Sequence, residues 1–201
     1  SAKRGMYGYL FVKGLDIPQT LRSASTYEKA GLGKRLQKGD TFHFTPSFTK
    51  KVNWSLKPPI FEKHVIIRVV KGTEYDLFTE KSLKQFFNTP YIVTTEANRM
   101  GYRLHGVPLQ QKVQQELLSS AVTYGTIQVP PNGQPIVLMA DRQTTGGYAK
   151  IAQVLSTDLS KLAQCTPGTS IFFRLVSLEE AQASLIREHH AYQLLKKIID
   201  F

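Results

Sequence analysis

"GTIQVPPNGQPIVLMA", residues 125–140, decides the fold class of this 201-residue chain. In Thr126-Ile127-Gln128-Val129 polar and apolar residues alternate, so on a strand Ile127 and Val129 share one face while Thr126 and Gln128 share the other. A second apolar run, Pro135 to Ala140, follows closely. Between the two stands Pro131-Asn132-Gly133, and Asn-Gly tolerates the positive φ angles of a tight hairpin turn. The two runs are expected to pair antiparallel.

Outward from this hairpin, strand-like runs separated by turn residues recur at 7–12, 41–44, 65–70, 91–95, 151–155 and 170–176. The chain reads as mainly β with a few helices. The best-marked helix is C-terminal: Ser177 followed by Glu180 makes a capping box, and Leu178, Ala181, Leu185, Tyr192, Leu195 and Ile199 recur near the helical period. A helix from Leu178 to Ile199 is expected. Shorter helices are expected at Ser82 to Phe87, capped by Thr79 or Glu80, at Ser25 to Ala30 and, with a weaker pattern, at Gln110 to Ser120. With no internal repeat, low-complexity linker or composition break, residues 1–201 read as a single domain.

Composition narrows the function classes. At 41% hydrophobic the chain can bury a core, and its longest apolar runs, such as Ile136 to Ala140, are far too short to cross a bilayer. With one cysteine, Cys165, beside the turn-forming Thr166-Pro167-Gly168, there is no internal disulfide framework, and the N-terminus lacks a signal-peptide pattern. The chain reads as cytoplasmic, without a membrane partner. The net charge of +11 invites a nucleic-acid reading, yet the basic residues are scattered from Lys3 to Lys197 and no recognised nucleic-acid motif occurs, so none is assigned. An acidic protein partner fits this charge. His43, His64, His105, His189 and His190 lack metal-ligand spacing, no metal is assigned, and neither a phosphate-binding loop nor a GxSxG nucleophile elbow is found.

Chemistry concentrates in "ADRQTTGGYAKIAQV", residues 140–154. Asp141 and Arg142 follow directly on an expected strand, where side chains can leave the sheet. Gln143, Thr144 and Thr145 offer donors and acceptors suited to a planar amide or a carboxylate, and Gly146 and Gly147 allow close approach of the backbone or a positive φ. A polar loop in which Asp141 and Arg142 only cap and pair fits the same composition. "NRMGYRLHG", residues 98–106, adds Arg99 and Arg103, whose planar forks suit carboxylate or phosphate oxygens, or else form a solvated charge pair. Thr126 and Gln128 form the polar face of the neighbouring strand.

These residues carry a resemblance. "RMGYRL" from Arg99, "YGTIQVPPNGQPIVLMADRQTTGGYAKIA" from Tyr124 and "STYEKAGLG" from Ser25 resemble the C-terminal two-thirds of the KipA-type family. That family is also described as allophanate hydrolase subunit 2 or the biotin-dependent carboxyltransferase family, and it includes the C subunit of the ATP-dependent 5-oxoprolinase. The resemblance implies a cyclophilin-like β-barrel and a chain that lacks the family's N-terminal segment. It implies a subunit, inactive alone, of a complex that cleaves 5-oxoproline to glutamate with ATP, beside a KipI-type subunit (the B component) and a LamB/YcsF-type subunit (the A component). Two other roles stay open. One is a carboxyltransferase component acting on urea or a related amide, with biotin arriving on a partner; the other is a regulatory module binding a KipI-type kinase inhibitor. Site residues carried over are Asp141 and Arg103 as catalytic groups, and Arg99, Gln128, Arg142, Gln143, Thr144, Thr145, Gly146, Gly147 and Tyr148 as substrate-binding ones.

The chain departs from the family pattern at Lys13 to Asp16, "KGLD" where many members read "GGID", and at Arg22 to Tyr27, where Ala24 stands in place of an arginine. Ala149 replaces the proline that usually follows "GGY", which changes loop stiffness more than chemistry.

Overall fold

The computed structural model describes residues 5–10, 12–27, 30–45, 62–113 and 115–199. The chain divides into two compact units, residues 1–7 with 59–201, and residues 8–58.

The larger unit is a closed barrel of seven strands. In chain order the strands are β1 His64–Lys71, β2 Tyr91–Val93, β3 Gly101–His105, β4 Ser120–Ala121, β5 Thr126–Val129, β6 Ile136–Leu138, β7 Thr145–Gly146, β8 Ala149–Val154 and β9 Ser170–Leu175. Around the barrel the order is β1-β8-β5-β6-β3-β2-β9, while β4 and β7 form a separate two-stranded ribbon. Barrel neighbours are antiparallel except where β1 meets β9 in parallel, His64 opposite Ser170 through Val69 opposite Leu175, which closes the ring.

The expected hairpin is present. Ile127 faces Val137 and Gln128 faces Ile136, and the turn between them carries Gly133 at φ 75°. Ile127, Val129, Val137, Ile67, Val69, Ile151 and Ile171 are buried in one core with Tyr91, Tyr102 and Phe173. Helix α1, Glu80–Asn88, begins at Thr79, whose hydroxyl oxygen accepts the Ser82 amide at 3.2 Å, the cap expected from sequence. It packs Phe86 face to face on Phe173, with ring centroids 4.6 Å apart. Each buried tyrosine hydroxyl finds a carbonyl: Tyr91 donates to Val107 O at 2.9 Å and Tyr102 to Ala163 O at 3.0 Å.

Helix α2 spans Leu159–Ala163, and α3 spans Leu178–Ile199 with the expected cap, the Glu180 amide donating to Ser177 Oγ at 3.1 Å. A buried polar cluster docks α3. Arg68 on β1 donates to both carboxylate oxygens of Asp158, at 2.9 Å and 2.6 Å, and to Ser184 Oγ of α3. Burial pushes the Asp158 carboxyl up, but the Arg68 side chain and amide, with Lys161, outweigh it and hold the group below the usual carboxylate range. Among the described residues, no helix is long and apolar enough to cross a membrane.

Several expected elements are absent. At 7–12, where Phe11 lies outside the described residues, the others form no strand: Tyr9 is 92% exposed, so β-type composition has no core face to bury. The stretch 41–44 makes a single bridge, Phe44 to Leu15, rather than a strand. Of the expected helix at 25–30, residues 28 and 29 lie outside the described residues; Ser25, Thr26 and Tyr27 are not α-helical, and Tyr27 forms a bridge with Leu32, with Gly31 at φ 66°. The stretch 110–120, with Gln114 outside the described residues, is not helical either. Its backbone groups are spent elsewhere: Gln110 O accepts the Thr79 amide at 3.0 Å, and the Lys112 amide donates to Leu77 O at 2.8 Å.

The smaller unit is held by a few backbone bonds, among them Asp16 N to His43 O and Thr45 N to Gly14 O, each 2.9 Å.

Candidate functional site

Strands β5 and β8 form the floor of the site, and an irregularity in their pairing sets its chemistry. Thr126 faces Gln153 and Ile127 faces Ala152, but the register then shifts, so that Gln128 faces Lys150 and Val129 faces Ala149. In an unshifted ladder Gln128 would stand opposite Ile151, a core residue. The bulge turns Lys150 onto the face of Gln128, because side chains alternate along a strand and one residue of slip exchanges the faces.

Both residues are almost wholly buried, Gln128 at 2% and Lys150 at 7% exposure. The Lys150 ammonium donates to Ser120 Oγ at 2.7 Å and pairs with Glu74 Oε2 at 3.1 Å. That same Glu74 oxygen accepts the Lys150 amide at 3.0 Å, and a buried ammonium requires such partners. Sequence reading passed over Lys150. Its signal was a lone charged residue within the Ala149–Val154 run.

Above this floor lies the β4–β7 ribbon, in which Ser120 pairs with Gly146 and Ala121 with Thr145. A Cβ at Gly146 would collide with Gln128 Nε2 and lie 3.1 Å from its Oε1, so the glycine leaves room for the Gln128 amide. A Cβ at Gly147 would sit 3.3 Å from Leu117 O and 3.4 Å from Ser119 Oγ. Neither glycine takes a positive φ, and at Gly146 the missing side chain makes room for Gln128. Gln143 Nε2 donates to Gln128 Oε1, and Gln128 Nε2 to Tyr148 O, both at 3.5 Å, the long limit of a hydrogen bond. Thr144 O accepts the Val122 amide at 3.0 Å, and the side chains of Gln143, Thr144, Thr145 and Tyr148 are exposed.

At the start of the loop Asp141 is gripped by Arg99 through both carboxylate oxygens, Nε at 2.7 Å and Nη2 at 2.9 Å, and the Asp141 amide donates to Arg99 O at 2.8 Å. The hydrogen bonds from Arg99 hold the Asp141 carboxyl below its ordinary range. Asp141 is thus an ionised acceptor at neutral pH. Arg142 Nε is buried with no hydrogen-bond partner. Arg103 is set apart: on β3 it alternates with the buried Tyr102 and Leu104 and pairs with Glu96 at 3.0 Å. The structure therefore brings Gln128, Gln143, Gly146 and Tyr148 together with Lys150, joins Arg99 to Asp141, and leaves Arg103 outside both groups. Among the described residues, no group of three or more His, Cys, Asp or Glu side chains could hold a metal ion.

Residues 1–175 match the family described as carboxyltransferase domain, subdomain A and B. The chain belongs to this carboxyltransferase-domain family. The match ends where β9 ends, so α3 follows the family region. This carboxyltransferase-domain chain is 41% identical over 206 residues to the 5-oxoprolinase C subunit of Haemophilus influenzae, covering 99% of this chain and 65% of that protein. The 5-oxoprolinase C subunit of Escherichia coli is 40% identical over 185 residues, covering 89% of this chain and 59% of that protein. The chain thus spans less than two-thirds of either relative. Among solved structures, Kluyveromyces lactis urea carboxylase superposes with a TM-score of 0.71 at 25% identity, over 84% of this chain and 17% of that one.

Proposed function

We propose that this carboxyltransferase-domain chain forms part of the C subunit of an ATP-dependent 5-oxoprolinase, which opens 5-oxoproline to glutamate. The observation that carries the reading is 41% identity across 99% of the chain to a protein of that name. The loop from Asp141 to Tyr148 holds the small amide. Gln143, Thr144 and Thr145 offer it donors and acceptors, Gln128 and Tyr148 flank it, and Gly146 and Gly147 keep bulk away. Asp141 orients Arg99, a role supported by its two short bonds to that guanidinium. Arg142 brings an unspent buried N–H, and Arg103 contributes only by leaving Glu96.

A lactam is a resonance-stabilised amide and must be activated before water can open it. The activation falls to the assembled complex, which consumes ATP and in which KipI-type and LamB/YcsF-type proteins are the partners. A second reading, carboxyl transfer to urea or a related amide from biotin carried by a partner, is favoured by the likeness to urea carboxylase. Co-expression of the full-length protein with both partners decides between them. The expected result is glutamate released from 5-oxoproline and ATP by the three proteins together and none by this chain alone. Carboxylation of urea when a biotin carboxylase is supplied, with no glutamate, would replace the first reading by the second.

A further inference from the structure

We propose that Lys150, with Gln128 beside it, is a carboxylate subsite, and that the Ser120 hydroxyl occupies the place of a ligand oxygen on the Lys150 ammonium. The inference rests on the reading of this loop as a small-molecule cradle, and it names the group that the cradle recognises.

Among the described residues the Lys150 ammonium has two polar partners, Ser120 and Glu74, for three N–H groups. Glu74 Oε2 is saturated, since it also accepts the Lys150 amide and the Thr73 hydroxyl, at 3.0 Å and 2.8 Å. It anchors the lysine rather than responding to a ligand. Ser120 has a weaker hold on its place: it is exposed and belongs to a strand of only two residues, joined to the two residues of β7. The neighbouring Gln128 amide is buried, yet both of its hydrogen bonds are 3.5 Å long, so it can offer a ligand an N–H and a carbonyl at little loss. The loop that brings Gln143 to it also carries the buried, unpartnered Arg142 Nε.

A buried ammonium with an N–H to spare and an amide with long bonds together favour a ligand that is anionic and carries an amide. A small lactam acid has both groups on one ring. Its carboxylate takes the Ser120 position on Lys150, and its amide lies against Gln128.

The test follows the Lys150 ammonium directly, by nitrogen-15 NMR of the lysine side chains in the full-length protein. Probes are acetate, 5-oxoproline and 2-pyrrolidone, the last being the same lactam without its carboxylate. The Lys150 signal, assigned by its loss in Lys150→Met, is expected to shift and saturate with acetate and with 5-oxoproline but not with 2-pyrrolidone. Because Ser120 competes for the site, Ser120→Ala should lower the half-saturating acetate concentration about threefold, the reverse of what a merely structural hydroxyl gives. In the assembled enzyme Lys150→Met should raise KM for 5-oxoproline about tenfold or more. If Lys150→Met does not fold, Glu74→Gln/Lys150→Met removes both charges and serves in its place. A Lys150 signal unmoved by acetate and by 5-oxoproline, in wild type and in Ser120→Ala, overturns the subsite even if the complex releases glutamate. A saturable shift without glutamate release keeps the subsite and overturns the 5-oxoprolinase reading.

Discussion

A methyl group added at Gly72 would meet only backbone: the Lys150 carbonyl, Ile151 C at 2.8 Å and Ala152 N at 2.8 Å. At Gly146 it would meet the far end of one side chain, Gln128, which can swing aside. The same substitution should therefore cost different amounts. Gly72→Ala is expected to destabilise by about 3 kcal/mol, because β1 and β8 cannot both keep their places. Gly146→Ala should cost about 1 kcal/mol, mostly by displacing the buried amide. Denaturant melts of Gly146→Ala, Gln128→Ala and the double variant check the mechanism: the double should be more stable than the sum of the singles by about 0.5 kcal/mol or more. Strict additivity would mean that Gly146 does not serve Gln128. The Arg99–Asp141 pair is a different case. Its arginine side chain is 58% exposed, so Asp141→Asn should change stability by under about 1 kcal/mol while disturbing the orientation of Arg99.

Among the elements, α3 is tied to the barrel through the Arg68–Asp158 pair. Asp158 is fully buried and bound by Arg68, which also holds Ser184 of α3. Removing its charge leaves the half-buried Arg68 guanidinium without its counter-charge, so Asp158→Asn is expected to cost about 2 kcal/mol and to raise amide exchange along α3. The pH dependence follows from the depressed carboxyl. Its stabilisation is fully present above the unfolded carboxylate range, near about pH 4, and is lost as pH falls through the lower folded value. Melting temperature should drop on acidification below about pH 4 in wild type and less steeply in Asp158→Asn. The legibility of the elements has a similar physical basis. The β5–β6 hairpin, α1 with its Thr79 cap and α3 with its Ser177 cap were readable because periodicity and end signals agree there. β3 was missed although Tyr102 and Leu104 alternate with Arg103 and His105, because the arginine drew a chemical reading instead of a structural one. β4 and β7 are two residues each and too short for any period to show. The loop of the candidate site was legible as a cluster of polar groups around two glycines. Lys150 was not, since its place depends on a bulge between Ile127 and Gln128 that no local pattern announces.

At the scale of the whole molecule, the net charge of +11 is spread along the chain rather than gathered in one run. If the proposed partners are acidic, association should be electrostatically steered, and the on-rate measured by stopped flow should fall steeply between about 0.05 and 0.5 M salt while the off-rate changes little. An on-rate indifferent to salt would show that the charge serves solubility alone. The parallel pairing of β1 with β9 has a different consequence, one that concerns synthesis. β1 leaves the ribosome roughly a hundred residues before its partner, so at about 5–20 residues per second it waits on the order of 5 to 20 seconds with an open edge. Throughout that interval the nascent barrel is an unclosed sheet, exposed to chaperones and to neighbouring nascent chains. Stalled chains that end before Ser170 should be cleaved rapidly by protease, and resistance should appear abruptly once Leu175 has cleared the exit tunnel.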